Sequence, residues 1–405
     1  MAGLRSAGSL ARGGGAEYNP CGSEGRSVAN EWAAFRNEFP ALRDWAYFGW
    51  ASVAPLSLRS SAAMERQIAG VREHGALVYR EWYAAYERAR HLAAELTGSL
   101  ATEIALLKNT SEGVSTVAFG LDWKSGDNVL IPGGEFPANF YPWQALAARG
   151  VELRTIPVDA NGAFAPADAE KLMDARTRVL ALSFVNYATG FRADLEALGK
   201  LCRARGIFFF VDAIQGLGAL PFDARAMNVD AWAADGHKWI CGPEGQAMLC
   251  VRTEWLERIA PLARGWWCLK EPGQYAAQDQ ELCRTARRFE CGTLNSIGVY
   301  GLCGALELLR DAGIERVGER ALHLAGRLES GLRARGMRVY RAPFESGQSG
   351  IVSFEAPGHD TRRVAEELER RKIFVNPRGG RLRAAVHAWN DETDLARLLE
   401  ALPRV

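Results

Sequence analysis

Between Ile207 and Lys238 the chain runs IFFFVDAIQGLGALPFDARAMNVDAWAADGHK. Its opening run, Ile207 to Val211, is wholly apolar. A run that short and uniform fits a strand covered on both faces, as in a parallel sheet. Asp212 follows at once, so a carboxylate stands where the strand ends, and Gln215 comes just before Gly216 and Gly218. The stretch closes on His237-Lys238. Packing alone explains neither a buried acid nor a lysine after a histidine. A charged, aromatic, phosphorylated cofactor lying between them explains both.

Upstream, apolar runs alternate with helical periodicity. Strands are expected at Trp45–Phe48, Ile104–Leu107, Val129–Ile131, Val151–Ile156 and Val179–Phe184. Helices are expected at Glu31–Phe39, from Asn109 through Phe119, and at Pro142–Arg149, Pro166–Ala175 and Leu195–Arg205. Ser57–Thr97 carries a longer helical pattern with breaks near Gly70 and Gly75. This alternation implies repeated βαβ units, hence an α/β fold around a mostly parallel sheet. Ligands of such folds bind beyond the carboxyl ends of the strands. Each polar cluster here falls at such an end: Asn109–Ser111, Glu135–Asn139, Asn186–Thr189 and Asp212–Gln215. After Gly301 the pattern changes to helices at Val299–Ala312 and Val317–Arg335 and short strands at Arg338–Tyr340, Gly350–Phe354 and Arg381–Ala385. The expected division is a disordered tail (1–29), an amino-terminal segment packing with the small domain (30–55), a large domain (56–300) and a smaller α+β domain (301–405).

The 405 residues are 48% hydrophobic and 24% charged, enough for a large core and a second, smaller one. A net charge of +1 gives no electrostatic case for nucleic acid or a membrane surface. No apolar segment is long enough to span a bilayer. The eight cysteines are scattered, without C-x-x-C pairs or His/Cys clusters at metal-ligand spacing. They read as reduced thiols of a cytoplasmic protein that binds no metal.

Each chemical candidate has a plainer alternative. Lys238 can form a Schiff base with a carbonyl, or be a surface lysine. Asp212 can hold a pyridinium nitrogen, or cap a turn. Gln215 can donate to a phenolate oxygen or to a turn. Asn109-Thr110-Ser111, between strand and helix, makes a phosphate cup or an ordinary N-cap. Phe136 can stack on a flat ring or pack in its loop. Arg383 can clamp a carboxylate or lie on the surface. Gly292-Thr293 is a donor-rich turn or a helix entrance. The glycine fingerprints of dinucleotide and P-loop sites are missing.

Together these residues resemble the class V aminotransferase family of fold-type I pyridoxal-phosphate enzymes, which includes cysteine desulfurases, isopenicillin N epimerase-like proteins and related lyases. The likeness runs from about Trp45 to Leu399. Its most specific parts are VDAIQGLGALPFD and DGHKWICGPEG, supported by NTSEGVS, EFPANFYPW, SFVNYATG, RFECGTLN and LRAAVHAWNDETDL. The resemblance implies a seven-stranded, mostly parallel sheet between helices and a smaller carboxy-terminal domain. It implies that Lys238 carries the cofactor and moves the substrate's α-proton. Asp212 would pair with the ring nitrogen and Gln215 with the phenolate, while Thr110, Ser111 and His237 bind the phosphate. Phe136 and Asn186 would lie against the cofactor, with Asn186 also near the substrate. Ala51 would line the substrate pocket and Arg383 hold the α-carboxylate. Gly292 and Thr293 would reach the partner's phosphate site in a homodimer. The implied activity is on an amino acid or amine, first as an aminotransferase. C–S lyase, desulfurase-like or epimerase activity is the alternative, and a non-catalytic member the second.

The departures are informative. Desulfurases carry a histidine where Phe136 stands, and a loop with a persulfide-forming cysteine before the arginine motif. Here that segment, Phe374–Gly380, is short and has no cysteine, which argues against desulfuration by that route. Asp235 stands where a phosphate-binding serine is common, and an acid beside a phosphate is unfavourable unless it is turned away or paired.

Overall fold

The structure is a computed structural model and describes residues 28–404; the expected tail falls outside the described residues, apart from the start of a helix at Val28–Arg36. That helix leads to a two-residue strand, β1 (Ala46–Tyr47). The central sheet follows, with β2 (Ile104–Leu107), β3 (Asn128–Pro132), β4 (Glu152–Ile156), β5 (Thr177–Ser183), β6 (Phe208–Asp212), β7 (Ala231–Asp235) and β8 (Ala247–Val251). Its seven strands lie in the order β2-β8-β7-β6-β5-β3-β4, and only β8 runs against the others.

The apolar run of β6 now has its physical reason. Phe209 and Val211 enter the core on one face of the sheet, Phe208 and Phe210 the core on the other. Leu180 and Leu182 of β5 divide from Val179 and Ala181 in the same way. Asp212 is the last residue of β6 itself, opposite Ser183 of β5. Strands β7 and β8 escape a residue-by-residue reading. Ala231–Asp235 is alanine-rich, and alanine has little strand preference; burial between β6 and β8 decides its conformation. The long helical pattern breaks once. Gly70 stays inside the helix Leu58–His74, and the turn comes at Gly75, whose φ of 55° is in the left-handed region.

The second sheet holds β9 (Arg338–Tyr340), β10 (Ile351–Glu355), β12 (Asn376–Arg378) and β13 (Arg381–Ala385), antiparallel in the order β12-β13-β10-β9; β11 (Ile373–Phe374) pairs with β1 instead. Val339, Val352, Phe354, Leu382 and Ala384 bury one face against Leu324 and Leu328 of the helix Ile314–Ala334 and Leu395 and Leu398 of the helix Glu392–Ala401. The opposite face carries Tyr340, Ser353 and Arg383 in register, because side chains alternate along a strand. Within the 374–380 segment, which stands where desulfurases carry a loop, Asn376–Arg378 turns tightly into β13 as a hairpin. Gly379 and Gly380 both take positive φ, 55° and 82°, as a two-residue type I′ turn requires.

The amino-terminal segment touches both units: Trp32, Phe39, Leu42 and Trp50 join the core cluster of the central sheet, and Ala46 and Phe48 join that of the second. Arg36 pairs with Asp394 at 2.7 Å, and Trp50 Nε1 donates to Asn390 Oδ1 at 2.8 Å. A division at residue 301 would cut the helix Ser296–Ala312, which packs along Leu58–His74 and Tyr79–Thr97.

His387 links the two units. It stacks between Trp389 (4.8 Å, 15°) and Trp239 (5.7 Å, 28°), and its Nε2 lies 3.0 Å from the Trp239 carbonyl, one residue beyond Lys238. Burial holds its pKa down at about 3, against an ordinary 6.5. The unfolded chain therefore takes up a proton near pH 6.5 while the folded chain resists until about pH 3. The stabilisation is complete above 6.5 and is lost as pH falls towards 3. At ~1.4 kcal/mol per unit, about 2 kcal/mol is lost by about pH 5. Urea unfolding at pH 7 and pH 5 should show His387→Gln losing about 2 kcal/mol less than wild type between the two. Equal losses would show that His387 does not titrate in this way.

Candidate active site

Beyond the carboxyl ends of β6 and β7 lies a cavity of about 280 Å³. Asp212 and Gln215 reach it from β6, and Asp235, His237 and Lys238 from β7. Thr110 and Ser111 reach it from the first turn of the helix Thr110–Gly120. Phe136, Ala51 and Arg383 complete the set of expected residues that line it.

Asp212 and Lys238 share this space in low exposure, 1% and 9%. Burial is the largest influence on each and the pair's attraction opposes it. Asp212 is raised to about 6 and Lys238 lowered to about 8. Asp212 accepts from the Ile214 N–H at 3.1 Å; its other oxygen accepts no hydrogen bond among the described residues. Lys238 Nζ lies 5.5 Å from the Phe136 ring centroid, and Phe136, 39% exposed, meets Tyr187 edge-on. Gln215 is fixed from both ends, donating to Ala51 O at 3.0 Å and accepting from Trp239 Nε1 at 2.9 Å.

The helix entrance is more occupied than the sequence suggests. Asn109 caps it by accepting from Glu112 N. The N–H and hydroxyl of Thr110 both donate to Asp235 Oδ2, at 3.0 and 3.1 Å. Asp235 is therefore turned into the helix entrance and paired there. Its Oδ1 lies 3.8 Å from His237 Nδ1, and neither atom has a hydrogen-bond partner among the described residues. Ser111, the next residue of that turn, lines the cavity.

At the other end stands Arg383, 1% exposed. Its Nη1 donates to Tyr187 O at 2.6 Å and its Nη2 to Ser52 Oγ at 2.7 Å, while Nε has no partner. Asn376 Oδ1 accepts from the same Ser52 hydroxyl at 2.8 Å. Burial, with Arg378 as a neighbouring like charge, lowers Arg383 to about 9.

Three of the expected residues lie outside this cavity's lining. Asn186 is not among the lining residues. Its amide accepts from Ala188 N and Thr189 N and donates to Gly134 O, closing a turn. Gly292 and Thr293 line a different cavity, with Lys108, Glu112 and Asn295. The buried Glu290 holds that segment in place by pairing with Arg90 at 2.6 Å and accepting from Leu106 N and Trp267 Nε1. Residues not singled out from sequence include Ser52, Tyr187, Arg378 and Glu135. Glu135 accepts from the Ser183 N–H and hydroxyl beside Asp212, and burial raises it to about 7. Its place at the head of the polar Glu135–Asn139 cluster was the available signal.

A lysine and a carboxylate in one sheet-end cavity, with a donor-rich helix entrance and a buried arginine, define a pyridoxal-phosphate-dependent enzyme of fold type I. The profile of the class-V aminotransferases matches residues 63–398, and the chain belongs to that family. A probable cysteine desulfurase of Methanothermobacter thermautotrophicus is 28% identical over 397 residues, covering 91% of this chain and 97% of that one. The apo cysteine desulfurase of Thermococcus onnurineus superposes with a TM-score of 0.85 at 27% identity, over 91% of this chain and 96% of that one. The cystine C–S lyase C-DES, solved with its product cysteine persulfide, gives 0.83 at 27% identity, over 89% and 98%. A variant of C-DES carries glycine covalently linked to its pyridoxal-phosphate cofactor.

The cavity fits that cofactor. The Asp212 carboxylate suits a protonated ring nitrogen, the His237 ring and Ser111 suit a phosphate, and Lys238 lines the same space. Only the free-base amine attacks an aldehyde. Apoprotein mixed with pyridoxal phosphate should therefore gain visible absorbance at a rate that rises with pH and levels off above about 8, well below the ordinary lysine value of 10.5. A stopped-flow rate still climbing at pH 10 would mean that Lys238 is not desolvated.

Proposed function

We propose that this enzyme cleaves the side chain of a sulfur-bearing α-amino acid by elimination, as a C–S lyase that uses no thiol of its own. One observation carries the reading: Lys238, Asp212 and Arg383 line one cavity, and among the described residues that line it there is no cysteine. The similarity to desulfurases and to a C–S lyase supports the bond that is broken. The cysteine-free hairpin at 376–381 supports a route without an enzyme persulfide.

When bound, pyridoxal phosphate supplies an electron sink for the pair left at Cα. The chain's own residues do the rest. Arg383 receives the α-carboxylate through Nε–H and the remaining Nη hydrogens, its other donors being held by Tyr187 and Ser52. Ser52 and Asn376 keep the guanidinium from turning. Asp212 holds a proton on the ring nitrogen. Gln215 presents its remaining amide N–H to the ring oxygen. Ser111 and His237 hold the phosphate end, beside the helix entrance where Asp235 takes both Thr110 donors. Lys238, whose free-base form burial brings within reach near pH 8, takes the α-proton. The Cβ–S bond then breaks with its electron pair on sulfur, which leaves as a thiolate and is protonated.

Transamination, the activity first expected from sequence, and epimerisation share the α-proton step, so products separate the three. Gly292 and Thr293 lie in a cavity of their own, and the proposal has them complete the phosphate site of a second subunit. A cofactor-loaded protein sedimenting as a monomer would remove that part. The free thiols among the described residues fit a reducing compartment, and the proposal places the enzyme in the cytoplasm; secretion of the intact protein would contradict it.

Purified protein incubated with L-cystine should release pyruvate and ammonia. Lys238→Ala should abolish release, and borohydride should fix the cofactor's mass on Lys238 in the wild type. Arg383→Lys, which loses the planar fork, should raise KM by roughly 10-fold or more. A 2-oxo acid with matching loss of visible absorbance and no pyruvate would establish transamination in place of elimination.

A further inference from the structure

Arg378 has no task in the mechanism above. It lines the same cavity as Lys238 and Arg383, and its guanidinium makes no hydrogen bond or ion pair among the described residues. The hairpin register fixes where it stands. Asn376 faces Arg383 directly across β12 and β13, and Arg378 lies two residues along β12. Side chains two apart share a face, so Arg378 is the diagonal neighbour of Arg383, about 7–8 Å away at Cβ. That face is the polar one, turned from the Leu382 and Ala384 core. The Gly379-Gly380 turn holds the register tightly.

The other charges are already matched. Asp212 serves the ring nitrogen, and Asp235 is taken by Thr110 and lies near His237. Two guanidiniums then line the cavity, and among the described residues no acid forms an ion pair with either. Arg381, the other arginine of the hairpin, is spent elsewhere: it lies 3.4 Å over the Tyr340 ring and 3.6 Å from Glu355. An α-carboxylate answers Arg383 alone. Burial is the main cause of Arg383's lowered basicity, and Arg378 adds to it as a like charge. A second anion between the two would relieve that repulsion.

We propose that Arg378 is a second anion-binding residue, and that the preferred substrate is an α-amino acid whose side chain ends in an acid group of its own. The proposal rests on the elimination reading, under which the acid group lies beyond the sulfur, on the departing thiolate. The same geometry favours dianionic ligands whether or not they react.

Calorimetry of the cofactor-loaded protein with glutarate and with valerate tests this, since the two differ by one terminal carboxylate and neither carries an amino group. Wild type should bind glutarate roughly 10-fold more tightly, the scale of one partly exposed charge-assisted contact. Arg378→Gln should remove that preference and Arg378→Lys keep part of it. Equal affinities in the wild type would overturn the proposal. So would an Arg378→Gln protein that weakens valerate as much as glutarate, because both arginines would then hold one carboxylate. The visible absorbance of the loaded protein and pyruvate release from cystine are read separately. A glutarate preference without pyruvate release sinks the elimination reading and leaves the anion site standing.

Discussion

Everything about this site follows from placing two opposite charges at the dry end of a sheet covered on both faces. A buried charge is costly unless it is matched. Asp212 and Lys238 attract each other, yet burial wins for both, raising the acid to about 6 and lowering the amine to about 8. The protein thus holds an acid and a base that are each drawn towards neutrality. A ligand with a protonated ring nitrogen restores a partner to the first, and one with an aldehyde consumes the second. The apolar run of β6 makes this environment: without Phe208 to Val211 filling both cores, water at the strand end would return both groups to ordinary values.

The second sheet uses alternation for a different purpose. Its apolar face makes a core with the helices, which leaves a polar face to close the cavity. Arg383 is nearly inaccessible, but the Tyr187 carbonyl and Ser52 hydroxyl meet part of its donor set. Those partners come from the turn after β5 and from the amino-terminal segment. The substrate end is therefore assembled from parts distant in sequence, and the Trp239-His387-Trp389 stack fixes their spacing to the lysine-bearing turn.

Legibility in the sequence followed how local the cause was. β6 could be read because its hydrophobicity exceeds anything a helix or loop needs there. Asp212, Gln215, His237 and Lys238 could be read because chemistry fixes their spacing. β7 could not, because Ala231–Asp235 is a strand by virtue of its neighbours. The first strand of the hairpin, Asn376–Arg378, could not be read because three-residue strands carry almost no pattern, although Gly379-Gly380 was a turn signal. Asn186 carries a family motif, but its amide is committed to the turn before Gly190. Arg378 had no signal, since its position depends on the register with Arg383.

Asp235 shows how an unfavourable letter is absorbed. A carboxylate beside a phosphate site would repel its ligand if it faced it. Here one oxygen accepts two donors from Thr110, at a helix start where the dipole favours negative charge. The other oxygen lies towards His237 Nδ1. An N–H on that nitrogen directed at Asp235 leaves Nε2 as the atom that can turn to the cavity, which is how a carboxylate orients an imidazole from behind. In the proposed function the acid therefore acts one layer back. It fixes Thr110 and aims His237, and the direct phosphate contacts pass to Ser111, to the ring it orients and to the second subunit. Where a serine would give one more donor to the phosphate, Asp235 gives rigidity to the donors that remain.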